Sequence, residues 1–462
     1  MIERIPKAAL LAAALMAITA LAYIAYSRPW YFTSQTNLAG LIFLELLIAA
    51  VWMYRRAFFP VVLASSLLAG INLPVGRGWA AGRWIVLGVG ALVGTLMMLK
   101  DRRHEFGFFH LAAFFTVLTG LVSAAVSTYP EVARLKVLSM LLLFVYGATG
   151  ARVAVMGREE IFFRGLLAGC EIFVGANACF YAVGVAAMGN PNSLGAVMGI
   201  AGAPILMWGV LLGGDRWVYR RRLFLYAICI YLVFVSHARA GIAAALISSA
   251  LLCLESRKYK LLFEGSTVLV IVLAAVGLFR PNAISSLTTS VLYKNESDAI
   301  FASRISPWQT AIDNIREHPW FGMGLGTTAN GADADEGQVS FSSGKTTSEH
   351  GSSYLAILAG VGIVGAIPFA VMLVLVISKV IRTAALMRGS GALAHPAVVL
   401  AGVMIAGIIH ATFEDWMMAP GNYLCVFFWS LAFIFNDVAP SSKALALKWS
   451  PTPTQGAIAS RP

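Results

Sequence analysis

Glu349 and His350 stand where a long polar stretch of the sequence meets an apolar run that begins near Ser352. His350 is therefore expected near the N-terminus of a membrane helix, where the partial positive charge of the helix end disfavours imidazolium. A neutral imidazole is the form that a general base needs, although Glu349 acts in the opposite sense. A polar residue at a helix start explains the same pattern, so the residues alone leave both interpretations open.

Several arginines occur in positions suited to an anionic ligand, because guanidinium groups bind phosphate through paired hydrogen bonds. Arg239 lies in a very short turn between two apolar runs, Arg280 closes the run before the polar stretch, and Arg304 lies within that stretch. Arg83 stands at the start of another apolar run. Anchoring to lipid headgroups explains one or two such arginines. Several at one membrane surface predict a phosphate-bearing lipid.

Two further patterns occur in the polar stretch, which covers roughly residues 281–350. Asp333-Ala334-Asp335 resembles a divalent-ion motif, but no strand pattern flanks it, and we interpret it as a solvated acidic loop. Gly322, Gly324 and Gly326 alternate with other residues but lack the lysine of a phosphate-binding loop, so we interpret them as a structural turn. We therefore predict chemistry without a bound metal or cofactor.

Composition identifies the chain as an all-α, polytopic membrane protein. Of the residues, 59% are hydrophobic and 12% are charged, and the mean hydropathy is +0.78. Twelve spans are expected, with up to fourteen candidate segments, because several apolar runs are short for a bilayer core of about 30 Å. The candidate runs are 8–26, 37–54, 57–73, 83–99, 107–127, 136–155, 161–188, 194–213, 222–236, 240–254, 264–279, 352–378, 396–413 and 421–436.

The distribution of lysine and arginine predicts the orientation. Alternate loops are basic and are therefore expected in the cytoplasm, together with both termini. The polar stretch faces outward and carries eight acidic and four basic side chains, a net charge of minus four. The formal charge of +12 of the whole chain thus follows from topology, and no nucleic-acid partner is expected.

The chain divides into four predicted parts: transmembrane helices over 1–280, a large outer loop over 281–350, transmembrane helices over 351–437, and a disordered cytoplasmic tail over 438–462. The basic and apolar N-terminus resembles a secretory signal, and we interpret it as an uncleaved first helix. The five cysteines all lie in or at the ends of apolar runs, so no disulfide framework is expected.

The outer loop contains a predicted helix. Ser306-Pro307-Trp308-Gln309 has the form of a capping box with proline at the first helical position. Trp308, Ile312 and Ile315 then recur on one face, and Pro319 ends the helix. Arg304 is thereby expected near the beginning of an amphipathic helix on the bundle.

Other polar residues lie at membrane depth or near it. Glu171 follows Arg164 by about two helical turns, which leaves open a structural ion pair or a role in gating or substrate binding. His410, Glu414 and Asp415 cluster at the outer end of an apolar run. They are suited to shaping a site, but we favour a solvated helix end.

The order of these features resembles the superfamily of O-antigen ligases and polymerases, which are bacterial envelope glycosyltransferases. The similarity is strongest over about 185–370 and is specific in its order and topology. The residues that carry it are Asn190-Pro191-Asn192, the short outer turn with Arg239, Ser303-Arg304 to Trp308, Glu317-His318-Pro319-Trp320-Phe321-Gly322-Met323-Gly324-Leu325-Gly326, and Glu349-His350-Gly351-Ser352-Ser353-Tyr354-Leu355.

This resemblance implies a GT-C-like glycosyltransferase of the bacterial inner membrane, with its active site on the periplasmic face. The implied reaction transfers a glycan from undecaprenyl diphosphate to a hydroxyl group of the lipid A-core, without a metal and with inversion. His350 would be the general base, and Arg239 and Arg304 would neutralise the leaving diphosphate. Arg280 is a second donor-binding candidate. Possible supporting residues are Glu349, Tyr354, Trp308 and Arg83.

Two alternatives stay open. An O-antigen polymerase would extend the glycan on its undecaprenyl diphosphate carrier and would use the same arginines. A transporter or flippase would move the lipid-linked anion without reacting with it, and it would need charged or broken helices near the bilayer midplane. We favour the ligase because the turn with Arg239 and the end of the loop at Glu349 and His350 look more like those of ligases.

Overall fold

The computed structural model describes residues 57–71, 79, 81–100, 106–279, 302–327, 351–390 and 393–440, together with scattered residues between 19 and 47. Regular structure in these ranges is helical, which agrees with the predicted all-α class. The described helices are α1 Phe59–Gly70, α2 Gly82–Lys100, α3 Phe108–Val126, α4 Pro130–Val155, α5 Glu159–Ala182, α6 Pro191–Leu211, α7 Arg216–Val235, α8 Arg239–Glu255, α9 Tyr259–Phe279, α10 Ala302–Glu317, α11 Ser353–Ser390, α12 Pro396–Ala411 and α13 Tyr423–Val438.

Within this part of the chain, six helices are long and apolar enough to cross a membrane: α2 to α6, and α11 as far as Leu386. Helices α1, α12 and α13 are apolar but shorter. Large apolar side chains such as Phe114, Ile172 and Ile367 are exposed, as expected for surfaces that face lipid. The predicted membrane helix bundle is confirmed at this level. The total number of spans stays a prediction, and the runs 8–26 and 37–54 and the tail beyond 440 lie largely outside the described residues.

Helices α12 and α13 form the centre of the bundle. Helix α12 is buried on almost all sides and packs against α8, α11 and α13. From α13, Trp429 and Phe433 meet Phe144 of α4 edge to face, with ring centroids 5.5 and 5.8 Å apart. The turn between α12 and α13 is consequently held at one end of the most tightly packed region.

Glu171, near the middle of α5, pairs with α7 and not with Arg164. Its carboxylate oxygens lie 2.8 Å from Nη2 of Arg221 and 3.3 Å from Nε of Arg222. Arg164 instead pairs with Glu160 on the exposed surface of α5. The structural interpretation of Glu171 is therefore supported, with a partner that sequence spacing did not indicate.

Helix α10 packs against α11 and ends at Glu317, before Pro319 as predicted. The predicted capping box is wrong, because the helix already begins at Ala302 and Pro307 lies inside it. A proline at this point removes only one backbone hydrogen bond in an early turn, so the helix continues through it. Arg304 is therefore part of the first helical turn and does not precede the helix.

Helix α11 is broken at Gly362, where φ is 66°. The chain that follows α10 docks at this break, and main-chain hydrogen bonds run in both directions between the two segments. They join Met323 N–H to Ala359 O (3.0 Å), Gly324 N–H to Gly360 O (2.8 Å), Ile363 N–H to Pro319 O (2.8 Å) and Val364 N–H to Trp320 O (3.1 Å). Backbone groups that the break removes from helical pairing are thus satisfied by the outer loop, as a membrane interior requires.

The alternating glycines make this docking possible. Gly322 and Gly324 have φ of +68° and +106°, values that favour glycine. A Cβ on Gly322 would lie 2.5 Å from the carbonyl oxygen of Gly360. Leu325 is buried between α3, α4 and α11. The interpretation of the glycine run as a structural turn is confirmed, and the turn is embedded in the bundle.

Replacing Gly362 with alanine is expected to destabilise the docked loop. With φ of 66° and ψ of −173°, Gly362 has a backbone conformation essentially restricted to glycine, which costs about 1–3 kcal/mol for a residue with a Cβ. The new methyl group would also overlap the main chain of Trp320 and Phe321, adding about 1–3 kcal/mol. Thermal unfolding of the protein in detergent measures the effect. Gly88→Ala in α2 is the control, because nothing lies within 4 Å of its new Cβ. Equal midpoints for the two variants would contradict the docking.

Candidate active site at one end of the bundle

Arg239, Arg304 and Glu414 come together from three helix ends. Arg304, in the first turn of α10, forms an ion pair with Glu414 in the turn after α12. Arg239 is the first residue of α8 and lies within electrostatic range of both. The side chains of Arg304 and Glu414 are only 11% and 22% exposed. Residues that are far apart in the sequence thus place two guanidinium groups near one carboxylate.

A tight turn and a close helix contact position Arg239. His237 adopts a φ of +52°, which is uncommon for a residue with a Cβ, and the N–H of Ala238 donates to Ser236 Oγ at 3.3 Å. Directly after Arg239, α8 packs against the backbone of α6, since a Cβ on Gly199 would lie 2.5 Å from the carbonyl oxygen of Gly241. Small residues allow this approach, which fixes the start of α8.

Ser353, the first residue of α11, holds the turn that carries Glu414. Its Oγ donates to the carbonyl oxygen of Glu414 at 2.7 Å and accepts from the N–H groups of Trp416 (3.0 Å) and Met417 (3.2 Å). Its own N–H donates to the same carbonyl at 3.1 Å. Ser353 is completely buried, so this small network is shielded from water. The turn is therefore tied to the residues that follow His350.

His410 is buried, and the predicted solvated helix end is wrong for this residue. Its side chain is 2% exposed, and its Nδ1 accepts a hydrogen bond from Nε1 of Trp416 at 3.0 Å. His410 ties the end of α12 to the turn that follows it. Glu414 is likewise mostly buried against Arg304. Hydropathy could not show this, because the covering surface belongs to α10 and α11.

Gly351 links the end of the outer loop to α10. Its carbonyl oxygen accepts from Trp308 Nε1 at 3.1 Å, and a Cβ at this position would lie 3.3 Å from Cδ of Arg304. The residue next to His350 in the chain therefore touches the helix that carries Arg304. His350 itself, Glu349 and Arg280 lie outside the described residues.

Tyr354 serves the packing between helices. Its hydroxyl donates to the carbonyl oxygen of Ile408 at 2.8 Å and joins α11 to α12. It therefore supports the turn that carries Glu414, and the role of its hydroxyl in this structure is structural.

A second pair of cations lies near the N-terminal ends of α2 and α4. Lys136 is within electrostatic range of Arg83 and of Asp415, which is the neighbour of Glu414 in the chain. Arg83 donates through Nη1 to the carbonyl oxygen of Gly421 at 2.8 Å, and its guanidinium lies over the ring of Trp84. Sequence reasoning singled out Arg83 but missed Lys136. The available signal was a lysine inside a helix that is otherwise apolar beyond its first turns.

Family comparison is consistent with this arrangement. Residues 223–370 match the O-antigen ligase family. The match confirms the resemblance to the superfamily of O-antigen ligases and polymerases and supports a function of that general type. A search of curated proteins finds no match.

The O-antigen ligase segment contains one part of the site and leaves the other outside. It runs from α7 into α11 and includes Arg239, Arg304, Trp308 and the position of His350. The turn with Glu414, and the pair Arg83 and Lys136, lie beyond its limits. The structure thus adds Glu414, Arg83 and Lys136 to the residues that lie inside the family match.

Metal ligands are not grouped in the part of the chain that the structure describes. No three His, Cys, Asp or Glu side chains are placed there as a metal site would require. Asp333 and Asp335 lie outside the described residues, so the interpretation of that motif stays a prediction.

Proposed function

We propose that the protein ligates O-antigen glycan from undecaprenyl diphosphate onto the lipid A-core at the periplasmic face of the bacterial inner membrane. The observation that carries the proposal is the pairing of Arg239 and Arg304 around Glu414 at the outer helix ends. Two guanidinium groups at one site suit the two phosphates of a diphosphate. The ligase-type family match over 223–370 includes both arginines.

An apolar groove offers a place for the prenyl tail of the donor. It has a volume of about 440 Å³ and is lined by α1, α5, α6 and α13, with Phe162, Phe173 and Tyr423 among its residues. The Tyr423 hydroxyl interacts with Ser193 near the start of α6. Since α6 packs directly against the turn that carries Arg239, tail and diphosphate can occupy neighbouring places.

The reaction requires one proton transfer and one displacement. The acceptor hydroxyl oxygen attacks the anomeric carbon while His350 takes the hydroxyl proton. The bond from the anomeric carbon to the diphosphate oxygen breaks, and the electron pair leaves with undecaprenyl diphosphate. Arg239 and Arg304 stabilise the negative charge that develops on this leaving group. A single displacement inverts the anomeric centre.

The contacts of Gly351 and Ser353, which follow His350 in the chain, support His350 as the general base. Gly351 lies against Arg304 and Trp308, and Ser353 holds the Glu414 turn. His350 precedes these residues directly in the chain, and this supports the assignment of the base. Glu349 is the candidate for orienting the imidazole, and Arg280 is a further candidate for binding the donor.

The flippase alternative receives less support. Helix α11 is broken, as transporter helices often are, but the four backbone groups at the break are paired with the outer loop. Glu171 is paired with two arginines of α7. Neither the break in α11 nor Glu171 therefore offers an unpaired polar group that could line a transport path.

A reconstituted transfer assay tests the proposal. Purified protein in detergent is mixed with an undecaprenyl-diphosphate glycan and lipid A-core, and products are separated and analysed by mass spectrometry and NMR. Glycosylated lipid A-core with an inverted anomeric linkage, formed equally well in EDTA, is the expected result. Longer carrier-linked chains would identify a polymerase. Movement of the donor across vesicles without any covalent product would overturn the proposal in favour of a flippase.

A further inference from the structure

Lys136 is a partly buried cation whose charge is incompletely balanced. Its stem is covered by the glycine turn, since a Cβ on Gly326 would lie 2.8 Å from Cε and Cγ of Lys136. In the described ranges it forms no ion pair and no hydrogen bond, although Asp415 is within electrostatic range. The second nearby charge is that of Arg83, which is positive.

Arg83 also retains hydrogen-bonding capacity. One nitrogen of its guanidinium donates to Gly421, but Nε is buried and has no partner among the described residues. Holding two cations near each other away from water costs free energy unless an anion joins them. Among the described residues, Asp415 is the carboxylate within electrostatic range of Lys136, whereas Arg83 adds a second positive charge.

This pair is distinct from the arginine pair of the proposed donor site. The charged groups within electrostatic range of Lys136 are Asp415 and Arg83, whereas those within range of Arg239 are Arg304 and Glu414. Each pair of cations therefore has its own carboxylate, and the two carboxylates are adjacent in the chain. Two separate positive centres suit a reaction with two anionic substrates.

We propose that Arg83 and Lys136 form a second phosphate-binding subsite, which takes a phosphate group carried by the acceptor glycolipid. This inference rests on the proposed function, because that function assigns the diphosphate of the donor to Arg239 and Arg304. The turn from 414 to 421 then lies between the two substrates, with Glu414 facing the donor and Asp415 and Gly421 facing the acceptor. The phosphate would orient the acceptor so that its hydroxyl group reaches the anomeric carbon.

Steady-state kinetics of Lys136→Met test this assignment. The KM for phosphorylated lipid A-core is expected to rise at least tenfold, while the KM for the undecaprenyl-diphosphate donor stays within twofold, and Lys136→Arg is expected to restore most of the loss. Arg134→Met is the matched control, because Arg134 lies at the same end of α4 and is exposed. A rise in the donor KM instead would place Lys136 in the donor site and overturn the proposal.

A second arm uses the unaltered protein. Lipid A-core from which the phosphates have been removed is expected to bind about tenfold more weakly than the phosphorylated form, measured by thermophoresis in the absence of donor. Lys136→Met is expected to leave the affinity for the dephosphorylated form unchanged, because removing the phosphate has already removed the interaction that Lys136 would make with it. Equal binding of both acceptors would overturn the subsite even if Lys136→Met unfolds. If the unaltered protein transfers no glycan, the proposed function fails. The subsite is still tested in that case, because acceptor binding is measured without donor and without catalysis.

Discussion

Arg304→Ala is expected to lower kcat for glycan transfer by about 10²–10³, the range seen when one preorganised donor to a developing anion is removed. Arg304 is mostly buried beside Glu414 and close to Arg239, so water cannot readily replace it. Arg304→Lys is expected to retain a part of the activity, because an ammonium keeps the charge but loses the paired hydrogen bonds. Arg239→Lys should behave in the same way. Initial rates at saturating donor and acceptor measure the effect.

Arg316→Ala provides the control for this prediction. Arg316 lies on the same helix, α10, and pairs with Asp313 on an exposed surface where the two side chains are 73% and 52% exposed. Such pairs contribute at most about 1 kcal/mol, so activity and stability should hardly change. Arg304→Ala also removes one ion-pair partner of Glu414, and the unfolding midpoint must therefore be measured together with the rate. A folded Arg304→Ala protein with the unaltered rate would exclude Arg304 from the site.

His350→Ala is expected to reduce kcat by about 10²–10⁴, the contribution typical of a general base. Donor binding should be retained, because the arginines that we propose as diphosphate ligands, Arg239 and Arg304, are unchanged. The pH profile gives a second measurement. An imidazole base works in its neutral form, so the rate should fall as the pH drops through the pKa of the group, ordinarily near 6.5. This acidic limb is expected to be absent in His350→Ala.

His318→Ala is the matched control for the base. His318 belongs to the same outer loop, is exposed, and follows the last residue of α10. Its rate and pH profile should match those of the unaltered protein. If His350→Ala transfers glycan normally, the acceptor proton must go elsewhere, and the assignment of the base is wrong.

Hydropathy and charge predicted the features that depend on local composition. The apolar runs from 57–73 onward coincide with described helices, because a segment that faces lipid must be apolar along its whole length. Helix α4 begins at Pro130, earlier than the run 136–155, because polar side chains near its outer end are excluded by a hydropathy criterion. The existence of a helix near Arg304 and of the turn at the glycine run followed from local sequence signals as well, although the predicted start of that helix was wrong.

Contacts between distant segments could not be predicted in this way. Nothing local indicates that Glu171 pairs with Arg221 and Arg222, or that Glu414 meets Arg304. The break at Gly362 was missed because its backbone groups are satisfied by residues more than thirty positions earlier in the chain. Lys136 was missed because one lysine near a helix end is usually an anchor.

The Arg304–Glu414 ion pair also determines which lipids can compete for the proposed site. Since Glu414 already neutralises Arg304, an incoming headgroup gains only the difference between its own interaction with the guanidinium and that of the carboxylate. A phosphodiester with a single negative charge gains little from this exchange, whereas a diphosphate can share its charges between Arg304 and Arg239. Glu414 is therefore expected to favour a diphosphate lipid over singly charged phospholipids at the proposed site.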